Sequence, residues 1–116
     1  MLQIGGNDML YGENPRTFER TLDELVARVT GADRYVVMLE LPAFPLREAH
    51  TRAQRRVAAR HAVTMIPRRY FLHVIRPRHA TGDGVHLTEA GHRRMYEMMR
   101  HVLRRALVDG HRGGFE

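Results

Sequence analysis

Arg34-Tyr35-Val36-Val37-Met38-Leu39-Glu40-Leu41 decides the fold class. The run is apolar almost throughout, rich in β-formers, and stopped by Pro42. A strand with one face in water alternates polar and apolar residues, whereas a strand buried on both faces does not. The stretch therefore reads as a strand inside a parallel sheet. Ala62-Val63-Thr64-Met65-Ile66, ended by Pro67, reads the same way.

Helical periodicity surrounds these runs. Asn14 caps a helix and Pro15 takes its first position. Phe18, Leu22, Leu25, Val26 and Val29 then share one face, and Gly31 closes the element. Residues 47–60 read as a second helix with Ala49, Ala53, Val57 and His61 on the inner side. Arg68 to Ile75 suits a short helix better than a strand. Thr88 caps the last helix, Glu89 complements its dipole, and Asp109-Gly110 stops it. Ala90, Met95, Met98, Met99, Val102, Leu103 and Ala106 form its apolar stripe, which is core packing and not a ligand box. Leu2-Gln3-Ile4 is a further strand candidate, followed by a turn over Gly5-Gly6-Asn7-Asp8. Residues 43–46 and 77–82 read as loops. One domain over residues 1–108 and a loose tail over 109–116 are expected.

Strands alternating with helices imply parallel strands joined by right-handed crossovers. In such sheets ligands bind beyond the carboxyl ends of the strands. Gly5 to Asn7 sits at one such end, and the loop before the last helix is expected to reach the same rim.

The chain has 116 residues, enough for one small domain with one core. It contains no cysteine, which excludes disulfides, thiolate metal sites and cysteine nucleophiles. It also contains no serine and no lysine, and all 19 basic residues are arginine. The latter bias fits codon usage better than a design for one ligand. A net charge of +6 still favours anionic surfaces. The longest apolar run, Tyr35 to Leu39, is too short to span a bilayer. Met1 leads directly into Leu2-Gln3-Ile4, with no basic start and no long apolar core, so no signal peptide is expected here. Localisation stays undetermined.

Two short blocks carry chemistry. The first is Thr81-Gly82-Asp83-Gly84-Val85-His86-Leu87-Thr88-Glu89-Ala90-Gly91-His92. Its spacing lets the Asp83 carboxylate reach the Nδ1 proton of His86, which fixes the tautomer and leaves Nε2 to take a proton. That makes a general-base unit in need of a nucleophile. A bare Asp-x-x-His is also compatible with a turn aspartate beside a surface imidazole. The second block is Ile4-Gly5-Gly6-Asn7-Asp8.

Together, at opposite ends of an alternating α/β pattern, the blocks give the chain a family resemblance. Gly5-Gly6-Asn7-Asp8 resembles the Gly-x-Asn-Asp block of SGNH hydrolases, the GDSL-type esterases and lipases. Asp83-Gly84-Val85-His86, with Leu87 and Gly91 following, resembles the Asp-x-x-His block that closes the same family. The resemblance covers residues 1 to about 108. It implies a flavodoxin-like three-layer α/β/α sandwich with parallel strands ordered 2-1-3-4-5. It implies that Asn7 donates its amide to the oxyanion of a tetrahedral intermediate, that His86 is general base and then acid, and that Asp83 orients it. Gly5 and Asp8 would support the turn that presents Asn7. Carboxylic esters, often with acyl chains on lipids, thioesters or sugars, are the implied substrates, with no metal or cofactor.

The departure from the family is equally plain. The family opens with a Gly-Asp-Ser block whose serine is the nucleophile, and a second block adds a glycine N–H to the oxyanion hole. Both lie upstream of Gly-x-Asn-Asp, and this chain holds no serine. It is expected to be the C-terminal part of a longer hydrolase, partial in fold and inactive alone. A catalytically dead or binding-only relative is the alternative. Without the first strands, the edge at Leu2 to Ile4 would invite self-association. An arginine-rich nucleic-acid binder is a weaker reading, because no nucleic-acid motif and little aromatic interleaving accompany the arginines. His79, His86, His92 and Asp83 lack a common ligand spacing, so no metal is expected. His50, His61, His73, His101 and His111 read as isolated structural or solvated residues.

Overall fold

The computed structural model describes residues 1–42, 48–84 and 86–108. The loop expected over 43–46, the helix start at Arg47, Val85 and the tail over 109–116 lie outside them, as does the side chain of Ala106. The described residues fall into two compact units, one from Met1 to Arg68 and one from Arg69 onward.

The first unit runs α1 (Gly6–Tyr11), α2 (Pro15–Val29), β1 (Val37–Leu39), α3 (Glu48–Arg60) and β2 (Thr64–Ile66). β1 and β2 are parallel, with Val37 opposite Thr64, Met38 opposite Met65 and Leu39 opposite Ile66. The fold is thus α/β, with parallel strands connected through a helix as the alternating pattern implies. All three β1 residues are buried, which is why their run shows no alternation.

Both strands are shorter than the runs that announced them. At the front of the first run, Tyr35 stays exposed and hydrogen-bonds the Thr64 hydroxyl at 2.9 Å. At the front of the second, Ala62 is no strand residue. It holds a left-handed φ of 53°, and Val63 N–H donates to the Ala58 carbonyl at 2.8 Å. That pair of features is the turn that ends α3. The expected strand at Leu2 to Ile4 reduces to a single bridge, parallel, from Leu2 to Met38. Leu2 N–H donates to the Val37 carbonyl at 2.8 Å, and Leu39 N–H donates to the Leu2 carbonyl at 2.9 Å.

Beyond Leu2 a side chain replaces the strand. The next groups on that side of β1 are the Leu39 carbonyl and the Leu41 N–H. Gln54 of α3, fully buried, takes both: its Nε2 donates to Leu39 O and its Oε1 accepts from Leu41 N–H, each at 2.9 Å. On the other side, Glu40 N–H donates to the Ile66 carbonyl. The Glu40 side chain, also buried, accepts from Arg55 at 2.5 Å and from the Arg68 N–H at 2.9 Å.

The core of this unit joins Met9 of α1, Phe18, Leu22 and Val26 of α2, Met38 of β1, and Ala53, Val57 and Ala58 of α3. α2 starts as expected, with the Asn14 side chain accepting from Arg16 N–H at 2.9 Å. Leu25 does not join the buried face, and the helix ends on Thr30, whose hydroxyl donates to the Val26 carbonyl, ahead of Gly31. Ala49 on α3 and His61 just after it are only partly buried, while His50, Thr51 and Gln54 are buried instead. Outside the core, Arg56 grips Glu19 through two hydrogen bonds, and Arg60 and His61 both reach Asp23. The Arg56 and Arg60 guanidinium groups hold the Glu19 and Asp23 carboxyls, respectively, below the usual carboxylate range.

The second unit carries α4, which spans Arg68–Ile75, and α5, which spans Glu89–Val108. The Arg94 guanidinium donates to the His73 and Val74 carbonyls and satisfies the open end of α4. Met99 and Val102 of α5 are buried, and Met95, Met98 and Leu103 partly so. Ala90 is exposed, and Gly91 is the buried residue at that point of the stripe.

A β-carbon in the left-handed region carries a penalty that glycine escapes. Ala62→Gly is therefore expected to stabilise the protein by up to about 1 kcal/mol in urea unfolding. A lower midpoint at unchanged slope would contradict the left-handed turn.

Candidate active site

The loop ahead of α5 is a small hairpin. Thr81 and Leu87 form an antiparallel bridge, and Gly82 N–H donates to the His86 carbonyl at 3.1 Å. Gly84, at φ 83°, supplies the left-handed step that a side chain would resist. Asp83 faces back across this turn. Its Oδ1 accepts the His86 backbone N–H at 2.7 Å, and its Oδ2 lies 2.6 Å from His86 Nδ1. A carboxylate only accepts, so Nδ1 carries the proton and Nε2 is the basic nitrogen of the neutral ring. The His86 side chain is 84% exposed, which leaves Nε2 facing solvent. The hydrogen bond from Asp83, reinforced by its charge, raises the His86 pKa above its ordinary 6.5.

The hairpin rests on the start of α5. Thr88 N–H donates to the Ala80 carbonyl at 2.9 Å, and the Thr88 hydroxyl donates to the His79 carbonyl at 2.5 Å. The same hydroxyl accepts from Gly91 N–H at 3.2 Å, so one side chain caps the helix and ties the loop to it. Ala80 is fully buried, and its carbonyl lies so close to Gly91 that a Cβ there would run into it. The capping role of Thr88 is legible in the sequence. Its second bond, and the role of Ala80, are not, because neither has a local signature.

Asn7, Gly5 and Asp8 belong to the first unit. The expected turn over Gly5 to Asp8 is instead the start of α1, entered through Gly5 at φ 93° and left through Gly12 at φ 74°. The helical stretch Met9-Leu10-Tyr11 followed by a glycine was the available signal. Gly5 is held against the Phe18 ring, which a Cβ would meet at 2.8 Å. Asn7 is exposed, and its side-chain amide makes no hydrogen bond among the described residues. Asp8 supports the element through its backbone, since its carbonyl accepts from Gly12 and Glu13 N–H groups. Its carboxylate makes no hydrogen bond among the described residues. An acid-bound imidazole with a free basic nitrogen can take a proton from a hydroxyl or water, and an unpaired amide can donate to an anionic oxygen.

A model of the GDSL-like Lipase/Acylhydrolase family matches residues 1–94. The chain belongs to that family. No curated protein and no solved structure matches it. The match takes in both blocks of this GDSL-like chain, from Gly5 through Gly91. No helix among its described residues is long and apolar enough to cross a membrane.

Two outcomes follow from this geometry. Asp83→Asn removes the charge and weakens the bond to Nδ1, so a side-chain NMR titration should show the His86 pKa falling toward 6.5. An unchanged titration would mean that the contact does not persist in solution. Gly91→Ala forces the Ala80 carbonyl away, with a cost of about 1–3 kcal/mol in denaturant unfolding.

Proposed function

We propose that this chain supplies the general base and one oxyanion donor of a carboxylic ester hydrolase of esterase or lipase type. The observation that carries the reading is the 2.6 Å contact between Asp83 Oδ2 and His86 Nδ1, with Nε2 left open. Membership of an acylhydrolase family supports it. In this reading His86 Nε2 takes the proton of an attacking hydroxyl and returns it to the leaving alkoxide. Asp83 keeps the ring in the required tautomer and stabilises the imidazolium formed on the way. Asn7 donates its amide to the oxyanion of the same intermediate. Gly5 and Asp8 hold the element that presents it.

The 116 residues hold no serine, so the nucleophile comes from outside them. Threonine, a secondary alcohol, is a poor substitute for it. The substrate is a small-molecule or lipid-like ester, and no metal or cofactor enters the chemistry. The missing serine also favours a second reading, a chain that keeps the half-site for binding and has lost turnover.

The test is turnover of a short-chain aryl ester by the polypeptide that joins these residues to a serine nucleophile. His86→Ala should abolish it, and Asn7→Ala should lower kcat by about 10²-fold or more. The raised His86 pKa sets the acid side of the profile: kcat/KM should rise with pH through a value above 6.5. Near wild-type turnover in the His86 variant would overturn the assignment. Failure of the serine-bearing polypeptide to react with a fluorophosphonate would favour the binding-only reading.

A further inference from the structure

α1 is six residues long and buries only Met9, so neither helix propensity nor packing holds it firmly. Its two ends are held from outside. At the entry, Gly5 lies against the Phe18 ring, and at the exit Glu13 N–H reaches back to the Asp8 carbonyl at 2.9 Å. The Glu13 carbonyl is itself gripped. His50 of α3 places Nε2 2.7 Å from it. The same imidazole packs on Phe18, with centroids 5.3 Å apart at 49°. Phe18 therefore touches the entry of α1 and the residue that secures its exit.

His50 is an expensive choice for packing alone. It is 1% exposed, and its Nδ1 is buried with no hydrogen-bond partner among the described residues. An apolar side chain of similar size would fill the space with no orphaned nitrogen. What the imidazole adds is one N–H. A carbonyl only accepts, so Nε2 carries that proton and Glu13 receives it. Gln54 lies one turn further along α3 and holds the end of β1. One face of α3 thus holds both the end of β1 and Glu13, the residue that follows the segment bearing Asn7.

We infer that His50 is a positioning residue for the oxyanion donor: through Glu13 and Phe18 it fixes α1, and with it the direction of the Asn7 amide. This rests on the proposed role of Asn7, but the positioning itself is measurable without turnover. Asn7 is exposed and its side chain makes no hydrogen bond among the described residues, so the direction of its amide follows from how the two ends of α1 are held. Displacements of that size at a donor are costly to rate.

The test uses NMR of the 116-residue chain and kinetics of the serine-bearing polypeptide. In the wild type, His50 should show the Nε2-protonated tautomer, and an Nδ1-protonated ring would overturn the inference. His50→Phe keeps volume and the Phe18 contact but removes the donor. It should shift the Asn7 side-chain amide signals and speed exchange of the Met9 amide. It should also lower kcat about 10-fold with KM nearly unchanged. His50→Gln, which can donate to the Glu13 carbonyl, should recover most of both. Unmoved Asn7 signals in a folded His50→Phe chain would overturn the inference, as would equal loss in the Phe and Gln variants. If His50→Phe does not fold, His50→Gln is read against His50→Leu in the same way. Should Asn7→Ala leave kcat unchanged, the oxyanion role fails, and the NMR signals still decide whether His50 positions the residue.

Discussion

The amide of Gln54 occupies the place of a strand. In a parallel sheet, one residue of a neighbouring strand serves two groups on β1, and its second residue along serves the next two. Leu2 serves Val37 and Leu39 in this way. The residue that would serve Leu39 and Leu41 next is Ile4, and Gln54 does so instead. Without it, a buried carbonyl and a buried N–H at the end of β1 would be orphaned, at about 1–3 kcal/mol each. With it, the chain is released from the ladder after one bridge. It can then turn at Gly5 and start the helix that displays Asn7, close to the carboxyl end of the sheet.

The Asp83 and His86 pair, by contrast, is held by local bonds. Asp83, Gly84 and His86 define their own hairpin, and its footing is the close pack of Ala80 beneath Gly91 with Thr88 bonded to both sides. A hairpin fixed over so few residues keeps the acid and the imidazole paired however its surroundings move. The bond depends on spacing, which the chain sets, and the exposure of His86 leaves its other ring nitrogen open to solvent.

That difference explains what the sequence made legible. The Asp83 and His86 spacing, the caps at Asn14 and Thr88, and the buried runs that became β1 and β2 are short-range signals. They were readable, as was the family that the two blocks resemble. Strand lengths were not, because they are set by features with no local signature: the Gln54 side chain takes over the backbone groups at the end of β1, and the left-handed turn at Ala62 delays the start of β2. The stripe position of Ala90 shifted to Gly91 because a close backbone approach needed a residue with no side chain. His50 read as an isolated histidine since its partners, Glu13 and Phe18, lie on distant stretches of chain. No spacing rule reaches that far.

The arginine-only composition has one use that the fold makes visible. Glu19 and Asp23 on α2 are engaged by Arg56 and Arg60 on α3 and by His61 just beyond it, and their carboxyls stay ionised to lower pH than usual. A carboxylate with a depressed pKa contributes to folding above its unfolded value, and that contribution is lost only as pH falls through the folded one. Each exposed pair contributes modestly. A clamp made of depressed carboxylates and guanidinium groups keeps its charges to lower pH than unpaired carboxylates would, so acid loosens the helix pair that carries His50 and Gln54 later than it would loosen one held by ordinary acids.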